Sequence, residues 1–194
     1  MINRLRAQMS RPIRRSALAL LAIAAAFTAS GCGNKTDITT VAPTEGIYLD
    51  LGGMKYQIQM SRYLNPADVE DRSYLLGMPS GVQSAGGEVW FGIWMRVQNE
   101  TDKPLPVATE YEIHDTQGSV YRPVPLDAKS NPFAYQAGPV EPGKVLPSPD
   151  SAAGNTAIQG SLLLFKIKVD SLQNRPLELT IKQGSSTDTA DIDV

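Results

Sequence analysis

Three groups of side chains in this sequence carry donor atoms suited to chemistry. His114 is the only histidine and stands beside Asp115. A His-Asp pair does acyl-transfer chemistry only when it activates a nucleophile. Neither G-x-S-x-G nor S-x-x-K occurs in the chain. A lone imidazole also falls short of the ligand set of a zinc or blue-copper site. A partly exposed His at the end of a strand accounts for it. Asn65, Asp68, Glu70 and Asp71 place four oxygen-bearing side chains in seven positions, a composition that suits calcium. The EF-hand spacing is absent, however, and acids at a helix N-terminus explain the same residues. Met54, Met60, Met78 and Met95 offer thioethers to Cu(I). Three of them fall on apolar strand faces, where Met is ordinary filler. The expectation is therefore no catalytic residue, no metal and no cofactor.

The chain is organised around Val89 to Asn99, V-W-F-G-I-W-M-R-V-Q-N, its longest strongly β-prone run. Successive strand side chains point to opposite faces. Odd positions give Phe91, Ile93, Met95 and Val97, a continuous apolar row that predicts a core. Even positions give Trp90, Gly92, Trp94, Arg96 and Gln98. Trp90, Gly92 and Trp94 form the candidate binding face. Bare tryptophans mark interaction sites, and Gly leaves a notch where another surface approaches. The competing expectation is that the chain covers them itself, with the segment from Asn65 to Leu76 or with Phe133 and Tyr135. Any binding site then moves to the loops.

The beginning of the chain reads as an address. Arg4, Arg6, Arg11, Arg14 and Arg15 precede an eleven-residue apolar run, Ala17 to Phe27. A spanning helix needs about 20 such residues, so residues 1–31 read as a signal peptide. Arg14-Arg15 also fits a twin-arginine pair, which leaves the export route open. The run ends in Ala29-Ser30-Gly31-Cys32. These residues resemble the bacterial lipoprotein signal, with Ala29 where that family usually has Leu. The resemblance implies cleavage before Cys32, lipidation of Cys32 and a domain anchored to the membrane on its extracytoplasmic side. Cys32 is the only cysteine, so no disulfide is expected. Removing the five signal arginines from 18 basic residues leaves 13 against 20 acids, a net of −7. Such a surface repels nucleic acid and anionic headgroups.

Residues 32–46 are polar and read as a flexible tether. Residues 47–194 are long enough for one core and one domain. Tyr48 to Leu51 is a short strand, and Met54 to Arg62 alternates, with Met54, Tyr56, Ile58 and Met60 on one face. Asn65-Pro66 predicts a helix cap, with a helix over Ala67 to Leu76 stopped by Gly77. Polar residues ending in Gly118 predict a hairpin between Glu110 to Asp115 and Ser119 to Val124. Residues 123–149 hold seven of the 14 prolines, too few N–H donors for inner sheet. Gly160 to Val169 is the second major strand, expected inside a sheet like the first. Leu177 to Ile181 and Thr189 to Val194 close the set.

Many short strands with almost no helix predict an all-β, antiparallel sandwich carrying a short helical insert and a Pro-rich loop. The turn Asn99 to Asp102, the hairpin Asp115 to Tyr121, Glu141 to Gly143, Gly160 to Ile167 and Pro176 to Ile181 together resemble an immunoglobulin-like domain of unknown function found in secreted bacterial lipoproteins. That resemblance implies a fold and an extracytoplasmic location, and transfers no catalytic residue. The function expected is a lipid-anchored, non-enzymatic binding module of the cell envelope. Its partners would be the membrane, through Cys32, and an envelope protein or other envelope component, with no nucleic acid. The rivals are a hydrolase using Pro-rich loop residues, which would gather polar groups in one cleft, and a metal carrier, whose Met side chains would meet at the surface.

Overall fold

The computed structural model describes residues 38–192. The signal peptide, Cys32 and residues 33–37 of the expected tether lie outside them. In chain order the strands are β1 (Val41–Ala42), β2 (Tyr48–Leu51), β3 (Met54–Leu64), β4 (Glu88–Asn99), β5 (Leu105–Pro106), β6 (Glu110–His114), β7 (Val120–Tyr121), β8 (Pro139–Val140), β9 (Val145–Leu146), β10 (Ser161–Lys168), β11 (Leu177–Gln183) and β12 (Ser186–Ile192). One sheet runs β1-β12-β11-β6-β7. The other runs β10-β4-β3-β2, with β9 also paired to β4, and β5 and β8 form a separate ribbon. The fold is an all-β sandwich in which every strand pair but one is antiparallel.

The exception corrects the expected tether. β1 pairs in parallel with β12 through Val41 and Ala42, and Ala42 is buried in the core. The Thr39 N–H donates to the Asp50 carboxylate at 2.9 Å, and the Asp50 N–H donates to the Thr39 carbonyl at 2.7 Å. Residues 38–46 therefore belong to the folded unit. Their polar composition hid this because a two-residue strand needs only one inward Ala.

The odd row of β4 packs as its alternation demands. Phe91, Ile93, Met95 and Val97 meet Ile113 of β6 and Leu179 and Ile181 of β11 across the sandwich. Burying each such side chain contributes about 1.5–3 kcal/mol. β10, expected as an inner strand, is the outer strand of its ladder. Its free side is partly occupied by isolated bridges from Val124 and Ala134. The Pro-rich stretch stays at sheet margins, pairing through β8, β9 and those two isolated bridges.

A bulge in β3 overturns one face assignment. The register on β4 shifts between Ile58, opposite Met95, and Met60, opposite Trp94. The extra residue, Gln59, reverses the alternation that follows it. Met60 therefore leaves the row of Met54, Tyr56 and Ile58 and joins Arg62 and Leu64 on the tryptophan side. The helix is also shorter than expected. α1 spans Val69–Tyr74, and its N-cap is Asp68 rather than Asn65. The Asp68 carboxylate accepts from the N–H groups of Glu70 and Asp71. Asn65 instead makes a local turn, its side-chain oxygen accepting from the Ala67 N–H.

Candidate functional site

The tryptophan face is closed, which corrects the candidate binding face. Trp90 is 3% exposed and Trp94 is 1% exposed. They form a second core with Leu64, Tyr74, Leu162 and Leu164, joined at its margin by Leu75, Met78 and Phe133. Tyr74 at the end of α1 meets the Trp94 ring edge-on at 5.1 Å and 83°. Phe133 from the Pro-rich loop packs on Tyr74 at 4.9 Å. Asn131 locks the two inserts together, donating from Nδ2 to the carbonyls of Tyr74 at 2.9 Å and Leu76 at 3.0 Å. Tyr135, the other expected cover, belongs to the first core, where its ring meets Tyr111 at 5.3 Å.

The notch at Gly92 is also filled from within. A Cβ built there would stand 2.9 Å from the Trp94 ring and 3.0 Å from Leu162 Cδ1. Gly92 makes room for the indole, not for a visiting surface. Arg62, opposite Gly92 on β3, lies 5.4 Å from the Trp94 ring centre and 5.9 Å from that of Tyr74. Its guanidinium donates to Asp71 at 2.6 Å.

The acids singled out from the sequence hold the chain in place. Asp71 also accepts from the Asn65 N–H at 2.8 Å. Burial pushes its carboxyl up, but Arg62 and that N–H more than offset it and hold the pKa below its ordinary value. His114 and Asp115 do not form a working pair. His114 Nε2 lies 3.5 Å from Glu112, whereas Asp115 accepts from Ser171 Oγ at 2.6 Å and from the Ser119 N–H at 2.8 Å. Asp115 lies just past the end of β6, where its carboxylate is committed to the turn by the N–H groups of Gln117 and Ser119. Burial works to raise the Asp115 carboxyl, and the bonds from Ser171, Ser119 and Asn174 override it, leaving it well below the carboxylate range. Glu112 is clamped by Lys182 at 2.6 Å and Arg122 at 2.5 Å. Lys182 first and Arg122 second lower it to about 2.

The methionines are dispersed. Met54 and Met95 are in the first core and Met78 borders the second, while Met60 is 37% exposed on the far face of β3. The Pro-rich loop does form an open groove of about 530 Å³ carrying Glu141, Lys144, Ser148 and Asp150. Among the described residues, no hydrogen bond joins Ser148 Oγ to any of the other three, so no nucleophile-base pair is assembled there.

One residue of the even row escapes the roof. Arg96, two positions beyond Trp94, opens into a cleft of about 240 Å³ lined by Val145, Pro147, Pro149, Gly154 and Gln159. Its Nη1 donates to Gln159 Oε1 at 3.4 Å. Its Nε is buried without a hydrogen-bond partner, and among the described residues no carboxylate comes within ion-pair distance. Gln159, which meets the guanidinium, is held at φ 52°, alone among the described non-glycine residues in having positive φ. The sequence had a signal for this site: a cation on the face of β4 opposite the core, with no acid nearby on its own strand.

No family model matches this chain, and no curated protein matches it. Solved structures with similar folds include the yjhA protein of Bacillus subtilis, at 11% identity and a TM-score of 0.49 over 78% of this chain and 99% of that one. A second is an uncharacterized β-sandwich protein of Clostridium difficile, at 13% identity and 0.44 over 82% and 97%. A third is a candidate lipoprotein, ycdA, of Bacillus subtilis, at 11% identity and 0.46 over 81% of this chain and 39% of that one. At such identities the likeness concerns the fold alone and says nothing of activity or ligand.

Proposed function

We propose that this chain is a lipid-anchored binding module of the bacterial cell envelope. It is exported, cut before Cys32, held to the membrane through lipid on Cys32, and presents an immunoglobulin-like sandwich to an envelope protein or other envelope component. It works by holding a partner, not by catalysis. The observation that carries this reading is the Arg96 cleft: a guanidinium on a central strand, facing outward, with no carboxylate among the described residues to neutralise it. Asp71, Glu112 and Asp115 support the same reading from the other side, since each is engaged in bonds that hold the chain in shape.

Two measurements test it. Fractionation of cells expressing the Cys32→Ala protein should move the chain from the membrane to the soluble extracytoplasmic fraction. Retention at the wild-type level would refute the anchor. Photo-crosslinking from a probe at exposed Lys144, on the rim beside the cleft, should trap a discrete envelope component. Reproducible hydrolysis of an ester, peptide or glycan, abolished by a point substitution, would refute the non-catalytic reading.

A further inference from the structure

We infer that the Arg96 cleft receives a single terminal carboxylate attached to a small apolar group, with Arg96 as its clamp. This deepens the binding-module reading and rests on it.

The argument starts with what the cleft lacks. Its walls are Val145, Pro147, Pro149 and Gly154, and Gln159 closes it beside the guanidinium. Proline has no N–H to offer, and the Gly154 N–H is already spent on the Ser151 carbonyl and hydroxyl, both at 3.1 Å. Donors for a ligand therefore come from Arg96 and from the Gln159 side-chain amide. A ligand must bring the acceptors and, for the prolines and Val145, an apolar body.

Arg96 is short of acceptors. A buried N–H left unmet is unfavourable because it has lost its bond to water and gained none in return, and Arg96 Nε is in that condition. Arg62 on the neighbouring strand shows the ordinary solution, a carboxylate at 2.6 Å. The single weak bond that Arg96 does make is to a residue in a disfavoured backbone conformation, Gln159 at φ 52°. Strain of this kind persists where the surrounding structure over-determines it, and it clusters at ligand clamps. Here it sets the one side chain that orients the guanidinium.

Charge and size narrow the ligand. The cleft lining carries one cation and no acid, so it balances one negative charge and not two. The chain beyond Cys32 carries 20 acids against 13 bases, a field that opposes polyanions. Guanidinium is a planar fork that matches a carboxylate through two parallel bonds. At about 240 Å³ the cleft is smaller than the roughly 300–1,000 Å³ that swallows a whole drug-sized ligand. It takes the end of a molecule. The chemistry is that of a peptide C-terminal residue and equally of a short free carboxylic acid.

The test is titration of the isotopically labelled protein followed by NMR at the Arg96 Nε–H and the backbone amides of Gly154 and Gln159. The probes are acetyl-Ala-Ala as the free acid, the same dipeptide as its C-terminal amide, butyrate and inorganic phosphate. The free acid should shift all three signals, and the amide should bind at least about tenfold more weakly. Arg96→Gln should abolish the shifts with its circular dichroism unchanged. Arg96→Lys, which keeps the charge and loses the fork, should weaken them. Butyrate as strong as the dipeptide assigns the site to free acids and still supports the clamp. Amide or phosphate binding as tight as the free acid overturns the inference. So does silence with every probe. If the envelope crosslink then persists in Arg96→Gln, the binding-module reading survives while this assignment falls. If the crosslink is absent in wild type as well, both fall.

Discussion

Replacing Asp188 by Asn should make the protein more stable at neutral pH and leave it unchanged in acid. Asp188 lies on β12 opposite Ile181, so its side chain shares the inward face of that sheet. It is 2% exposed and its Oδ2 has no hydrogen-bond partner. The charged or titratable groups acting on it from the facing sheet are Asp50 of β2, itself paired with Lys55, and Tyr56 of β3. Burial first and the Asp50 charge second raise the Asp188 carboxyl from its ordinary 3.8 to about 6. A raised acid binds its proton more tightly in the folded chain than in the unfolded one. Its favourable contribution is full below the unfolded value and is lost as pH climbs through the folded one. At 1.36 kcal/mol per unit, that window is worth on the order of 2–3 kcal/mol. The amide introduced by Asp188→Asn would carry no charge at any pH. Urea unfolding of both proteins at about pH 3.5 and about pH 7.5 gives the comparison. Among the acids whose pKa values are lowered, Asp71, Glu88, Glu112 and Asp115 are not among the groups that shift Asp188, and they lose their stabilising effect as pH falls. Both proteins share them, so they cancel in the difference. A stability difference that is the same at both pH values would refute the reasoning.

Two further outcomes follow from the second core. Gly92→Ala should lower stability by about 1–3 kcal/mol, because the added methyl meets the Trp94 ring and Leu162 inside packed surroundings. An unchanged melting temperature would contradict this. The free protein should show blue-shifted tryptophan emission that acrylamide quenches poorly, since Trp90 and Trp94 are both buried. Red-shifted, freely quenched indoles would mean that α1 and Phe133 do not cover them.

The first core was legible because a strand buried on one face repeats every second residue, and Phe91, Ile93, Met95 and Val97 obey that rule without interruption. Met60 was misplaced because a bulge such as Gln59 leaves no mark in composition while reversing every side chain after it. The cover of Trp94 comes from Tyr74 and Phe133, 20 and 39 positions away. Periodicity sees only neighbours, so the sequence could name both inserts as covers without choosing between them. It placed Tyr135 beside Phe133 as a candidate, yet the two chain neighbours serve different cores. β1 was invisible for a related reason: its partner β12 is at the other end of the domain, and two residues carry no pattern. Arg96 was visible as a residue but not as a site, because what distinguishes it is the carboxylate that no distant segment among the described residues supplies.

Asn131 has a bearing on how this molecule can change over time. Its amide ties the loop that carries Phe133 to the carbonyls of Tyr74 and Leu76, so the insert after β3 and the loop before β10 share one roof over two tryptophans. Neither can be trimmed alone. Losing the helical insert would strip Trp94 of its edge-on partner and Asn131 of both acceptors, while losing the loop would bare Tyr74. The two additions are a matched pair, gained or lost together, and a sandwich without them would need different residues at positions 90 and 94.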